Sequence, residues 1–370
     1  MAVSKELEKK LTQMFIVGLP GTELDSESQD FLQKFQPGGV IFFAYNYENV
    51  ALLSEMCGEI QRVKDSLPFF VAVDHEGGRV QRFKKPFTHF PEPVAIGEIG
   101  SPKLAFLVAE VMGRELSAVG VNLNFHPLCD IHTRLSNPVI GKRSFGGSEE
   151  LVSRMASAMV RGFLASGMIS CVKHFPGHGD TTVDSHFDLP IVKRSWEELK
   201  SREIKPFVKA VRSRVDMIMT AHILNPLIDE QYPATLSKKT VTELLRKELR
   251  YQRLVITDDM QMQAIEKGYG AEDAVRLAIE AGCDVLLYRD RERGRKAMEM
   301  ALALLAKGKI SEARVEESYV RIIEAKAKIN PRTLPIDEAA KIIGCDAHHE
   351  ILQMVLEKRK PSGKELDGAY

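Results

Sequence analysis

The segment Lys173–His186, "KHFPGHGDTTVDSH", gathers three histidines, two aspartates and a lysine into fourteen residues. Its Pro and Gly exclude a helix. Asp184 and His186 stand two residues apart. A carboxylate so placed can accept an imidazole N–H, fix the tautomer and make the other ring nitrogen a better base. The same pair also suits an ordinary turn. Gly177 and Gly179 permit backbone excursions, so the segment could move as a lid over a site. His174 and His178 would make a zinc pair on a helix, but Pro176 and Gly177 break one there. The first strand-like run, "FIVGL", and the Pro-Gly after it carry no His-x-His pair. No metal is expected.

A second source of chemistry is Asp258, which closes the apolar run in "VITDDM". A carboxylate at a strand end is held on a rigid element, as a nucleophile should be. The plainer alternative is that Asp258 or Asp259 caps the following helix; Asp259, one step beyond the strand, fits that better. Other apolar runs also end in polar groups: Asp74 ahead of "HEGGRVQR", Lys173 and His174, Thr220 and His222. Charges gathered at one rim must be desolvated with no gain in stability, so such a cluster points to function. "EGGR" and "SFGG" complete neither GxxxxGK[ST] nor GxGxxG, so no nucleotide and no cofactor is expected.

The elements that must position these groups are short, continuous apolar runs at 15–19, 39–45, 69–74, 121–126, 168–174, 216–222, 253–258 and 284–289. Continuous rather than alternating patterns fit strands buried on both faces of a parallel sheet. Helical stretches lie between them. In 148–165, Ser148 can cap and Leu151, Met155, Met159 and Phe163 form an apolar stripe. Another helix is expected over 272–281. Segments 75–100 and 127–147 read as long loops. Eight strands alternating with helices predict an α/β fold, a single (β/α)8 TIM barrel with extra C-terminal helices. The barrel is assigned to 1–330, and a helical extension with a polar tail to 331–370.

The chain has 370 residues, 44% hydrophobic and 28% charged, with 51 basic against 51 acidic side chains. Zero net charge offers no attraction to nucleic acid or a membrane surface. No apolar run approaches the ~20 residues of a membrane span, and the start lacks a signal-peptide core. The five cysteines show no CxxC spacing, which suits free thiols in a reducing compartment. A cytoplasmic protein, with a monomer favoured, is expected.

Four stretches, "KHFPGHGDTTVDSH", "VAVDHEGGRVQRF", "NPVIGKRSFG" and "VITDDM", occur in an order that resembles glycoside hydrolase family 3, in its bacterial β-N-acetylglucosaminidase branch. The resemblance covers roughly residues 10–300. It implies Asp258 as nucleophile and His186 as general acid/base, with Asp184 as its partner. It implies Asp74, Arg82, Arg143, Lys173 and His174 as contacts to the sugar hydroxyls and acetamido group. His75, His126 and the strand ending "LLYRD" depart from the family pattern; none is a catalytic position, and all three bear on the leaving-group side. A retaining glycosidase needs a carboxylate nucleophile and a separate proton donor, which this set supplies.

The expected activity is removal of terminal N-acetylglucosamine from small carbohydrates, muropeptides among them. A histidine donor avoids repelling an incoming anion, so a phosphorylase is the alternative enzyme. A broader β-glycosidase and a catalytically dead sugar sensor are the remaining readings.

Overall fold

The apolar runs form strands largely buried, because helices cover one face and the barrel interior the other. With a separate two-stranded hairpin, β4–β5, the strands in chain order are β1 (Phe15–Gly18), β2 (Gly39–Phe42), β3 (Phe70–Val73), β4 (His75–Gly77), β5 (Val80–Gln81), β6 (Leu123–Asn124), β7 (Ile169–Phe175), β8 (Met217–Thr220), β9 (Leu254–Asp259) and β10 (Val285–Tyr288). The computed structural model describes residues 3–134, 136–181 and 189–359. Eight strands close a barrel in the order β1-β10-β9-β8-β7-β6-β3-β2. All its pairings are parallel, so every C-terminal strand end reaches one rim. The expected (β/α)8 barrel is the observed fold.

Two strand readings need correction. The run expected over 121–126 pairs only at Leu123–Asn124. Asn122 and Asn124 bridge through their side chains to β3 and to the start of β4: Asn122 Oδ1 accepts from Val71 N at 2.9 Å, and Asn124 Oδ1 from His75 N at 3.0 Å. Side-chain amides here replace part of the backbone ladder. The segment read as a loop from residue 75 begins instead with an antiparallel hairpin, β4–β5. It follows directly on β3 and carries Glu76.

The helix expected over 148–165 runs Glu149–Ala165, and Ser148 accepts from Leu151 N as its cap. Met155, Met159 and Phe163 are fully buried, as the stripe requires. Beyond the barrel come helices Glu312–Lys326, Ile336–Ile342 and Asp346–Lys358. Glu115, buried on the helix Pro102–Ala118, ties this segment to the barrel. Its carboxylate receives Thr88 N, Gly344 N and His348 Nδ1, each at 2.8 Å. Among the described residues no helix is long and apolar enough to cross a membrane.

Lys326 is 1% exposed, and among the described residues its side-chain nitrogen meets Gln13 Oε1, at 2.7 Å, and the faces of Phe69 and Phe70. Attraction to an aromatic face contributes ~0.5–2 kcal/mol, less than the several kcal/mol it takes to desolvate an ion. Burial therefore holds the Lys326 pKa well below the ordinary lysine value. The unfolded chain binds a proton that the fold resists, so this site costs more stability as pH falls below about 10.4. Lys326→Met is expected to raise Tm by about 1–3 °C at neutral pH, with the gain shrinking toward pH 10. A lower Tm in the Met variant would show the Gln13 contact to matter more.

Candidate active site

The C-terminal rim encloses a cavity of about 450 Å³, lined among others by Asp74, Arg82, Arg143, Lys173, His174 and Asp258. These are six of the eight residues singled out in the sequence. Asp184 and His186 lie outside the described residues.

The floor is an ion-pair network. Lys173, at the end of β7, is 2% exposed, and its Nζ lies 2.6 Å from Asp74 Oδ1 and 2.7 Å from Glu76 Oε1. Arg143 binds Glu76 in bidentate fashion, Nε to Oε2 at 2.9 Å and Nη2 to Oε1 at 2.8 Å. Arg82 approaches Asp74 at 3.7 Å. Burial alone would raise the Glu76 pKa, but Arg143 and Lys173 hold it well below the usual carboxylate range. Burial alone would lower Lys173, but Asp74 and Glu76 raise it. The expected sugar-binding cations are thus already paired, which fixes their donors in place.

Asp258 is the last residue but one of β9, the one barrel strand whose last two residues are only half-buried, so Asp259 lies within the strand and not one step beyond it. Its Oδ1 accepts from Asp259 N at 2.8 Å, and its Oδ2 lies 4.0 Å from His174 Nε2. Burial would raise its pKa; His174 and His222 outweigh that and lower it to about 2. The carboxylate is therefore ionised through the neutral range.

His174 owes its orientation to Asp130, whose Oδ2 lies 2.7 Å from Nδ1. A carboxylate accepts only, so Nδ1 carries the proton and Nε2 faces Asp258. Asp130 also accepts from His178 N at 2.7 Å. His178 Nδ1 meets Thr181 Oγ1 at 2.9 Å, and burial lowers the imidazole to about 4. The described part of the Lys173–His186 segment is thus pinned. Gly179 reflects a close approach rather than freedom to move, because a Cβ there would sit 1.7 Å from the Ile131 carbonyl oxygen. The two imidazoles stand edge-on, ring centres 5.8 Å apart. Among the described residues, no three His, Cys, Asp or Glu side chains are placed to hold a metal ion.

Asp259 does not cap the next helix, contrary to the sequence reading. Helix Gln263–Tyr269 starts after Met262 and has no side-chain cap. The Asp259 carboxylate instead accepts from Gln261 N at 3.0 Å and pairs with Arg289 Nε at 3.0 Å. Burial raises its pKa to about 6, against the pull of Arg289. Glu76, Asp130, Asp259 and Arg289 were not singled out as site residues in the sequence. Glu76 had one signal, an acid flanked by Gly-Gly and Arg just after a strand; Asp130, in "LCDIH", had none.

A closed barrel with an ionised carboxylate on one strand over a fixed polar floor can host several chemistries, so the fold alone does not name the class. Residues 6–325 match Glycosyl hydrolase family 3 N terminal domain, and the chain belongs to that family. It is 34% identical over 358 residues to beta-hexosaminidase A of Pseudoalteromonas piscicida, covering 89% of this chain and 60% of that protein. It is 36% identical over 298 residues to a beta-hexosaminidase of Pseudomonas aeruginosa (strain LESB58), covering 80% of this chain and 87% of that one. A solved family 3 beta-N-acetylglucosaminidase from Paenibacillus sp. str. FPU-7 superposes with TM-score 0.91 at 36% identity, over 97% of this chain and 69% of that one. The chain thus spans less than two thirds of the first of these relatives.

Proposed function

We propose that this protein is a retaining, exo-acting β-N-acetylglucosaminidase that releases terminal N-acetylglucosamine from muropeptide fragments of peptidoglycan. The observation that carries the reading is Asp258, a carboxylate kept ionised and aimed into a cavity whose floor is built of paired cations. The β-hexosaminidase names of the relatives support the sugar. Residues 1–330 form the catalytic barrel on this reading, and 331–370 an extension anchored through Glu115. Five unpaired thiols, four of them buried, suit the cytoplasm.

In the first half-reaction Asp258 attacks the anomeric carbon as its bond to the leaving oxygen breaks. That oxygen takes a proton from His186, which Asp184 orients. Water then attacks the anomeric carbon of that glycosyl ester, gives a proton to His186, and displaces the Asp258 carboxylate with configuration retained overall. Asp74, Arg82, Arg143, Lys173 and His174 hold the sugar. His174 also supports the charge on Asp258.

A site built to hydrogen-bond a substrate group rejects the analogue that lacks it, often by 10⁴-fold or more. We expect nitrophenyl β-N-acetylglucosaminide to exceed the glucoside in kcat/KM by orders of magnitude. Comparable values would point to a broader β-glycosidase. Turnover that rises with phosphate and yields the sugar 1-phosphate would point to the phosphorylase.

A further inference from the structure

At the N-terminal end of the barrel, the end opposite Asp258, one fully buried carboxylate collects three guanidinium groups. Asp284 stands just ahead of β10, and its Oδ2 accepts from Val255 N in β9 at 2.9 Å. Arg314 Nη2 reaches Oδ1 at 2.8 Å, and Arg321 Nη1 reaches the same oxygen at 3.0 Å. Arg246 Nη2 meets Oδ2. One carboxylate neutralises one guanidinium, so three gathered around it repel one another until further anions come near. Glu317 supplies one, 2.9 Å from Arg314 Nη1.

These arginines open on a cavity of about 460 Å³, lined also by Lys247, Arg250 and Glu317. Lys247 is taken by Glu243, at 2.9 Å on the same helix. Arg250 has no carboxylate partner among the described residues. Arg321 spends one nitrogen on Asp284, and its others are unbonded among the described residues. Five cations thus face three carboxylates, Asp284, Glu317 and Glu243, an excess of two positive charges. The adjoining cleft, which shares Arg321, is balanced: Arg253 and Lys328 face Asp216 and Glu324. Arg250 also holds φ at +55°, a conformation that glycine takes without strain. A turn alone would not call for arginine there.

We infer that this cavity binds a small molecule through a dianionic phosphate monoester, held by the Arg250 guanidinium and the unspent nitrogens of Arg321. Planar guanidinium forks match phosphate oxygens. A phosphate monoester carries about 1.5–2 negative charges at pH 7, which meets the excess of two. A carboxylate or a sulfate ester carries one. The cavity is larger than a phosphate group, which leaves room for the body that bears it. The site lies at the far end of the barrel from Asp258, so its occupancy is read without turnover.

Calorimetry on the full chain at low salt, with glucose 6-phosphate, glucose 6-sulfate and glucose, tests the site. The phosphate ester should bind and raise Tm. The sulfate ester, one charge short, should bind about tenfold more weakly, and glucose should give no heat. Arg250→Ala and Arg321→Gln should each weaken the phosphate ester by about tenfold, the scale of one charged hydrogen-bonding contact, with the native far-UV spectrum kept. Gln at position 321 can still donate to Asp284, which guards the fold. No heat and no rise in Tm with the phosphate ester at millimolar concentration overturns the site. Equal affinity for the two esters overturns the charge match. Binding that both arginine variants leave unchanged puts the ester elsewhere on the protein and overturns the assignment as well.

Discussion

Asp258→Ala lowers kcat on nitrophenyl β-N-acetylglucosaminide by on the order of 10⁴-fold or more, the scale seen when a nucleophile is removed from an otherwise intact site. Asp258 stands next to the end of β9, accepts from its neighbour's backbone N–H, and faces His174 Nε2 at 4.0 Å. None of these supports holds a substitute in reach of the anomeric carbon. Asp259→Asn should cost far less, because that carboxylate is turned to Arg289 and Gln261. The two acids separate chemically as well: Asp258 is lowered to about 2 and Asp259 raised to about 6. A 2-fluoro sugar with a good leaving group should therefore leave its mass on the peptide containing "LVITDDM", with fragmentation placing it on Asp258. A label on Asp259 or Asp74 would reverse the assignment. No adduct, together with tight inhibition by a thiazoline, would favour attack by the substrate's own acetamido oxygen.

Glu76→Gln is expected to combine the largest loss of stability with loss of sugar binding. Glu76 is fully buried between Arg143 and Lys173. Gln keeps the shape but leaves two buried cations with one carboxylate, Asp74, between them. Removing one partner of a buried pair costs about 3–5 kcal/mol. For a chain of this size that is a fall in Tm of roughly 4–6 °C. Because the Glu76 pKa is depressed in the fold, its contribution is present above the ordinary glutamate range and lost as pH falls through the depressed value. The gap between native and variant should thus narrow in acid. A Gln variant as stable as the native protein at pH 7, with unaltered KM, would show the network to be dispensable.

How much was legible in the sequence follows from what each feature depends on. Barrel strands are local: an apolar run such as "FFVAV" must be buried on both sides wherever it lies, so its type can be read without its neighbours. The run at 121–126 misled because Asn122 and Asn124 bond across to β3 and the start of β4, about fifty residues away. Asp259 misled for a related reason. Beside a helix start it reads as a cap, and only the barrel brings Arg289 from the next strand to claim it.

The sequence by itself determined the alternation of strands and helices, the placement of Asp74, Lys173, His174 and Asp258 at strand ends, and the absence of a nucleotide loop motif. Periodicity and composition carry that information within a few residues. Tertiary structure alone decided which charges neutralise which. Lys173 meets Asp74 and Glu76 about a hundred residues away, His174 is oriented by Asp130, and Arg289 pairs with Asp259. Ion pairing depends on distances of a few ångströms between strands that closure of the barrel brings together, and no local pattern in the chain encodes those distances.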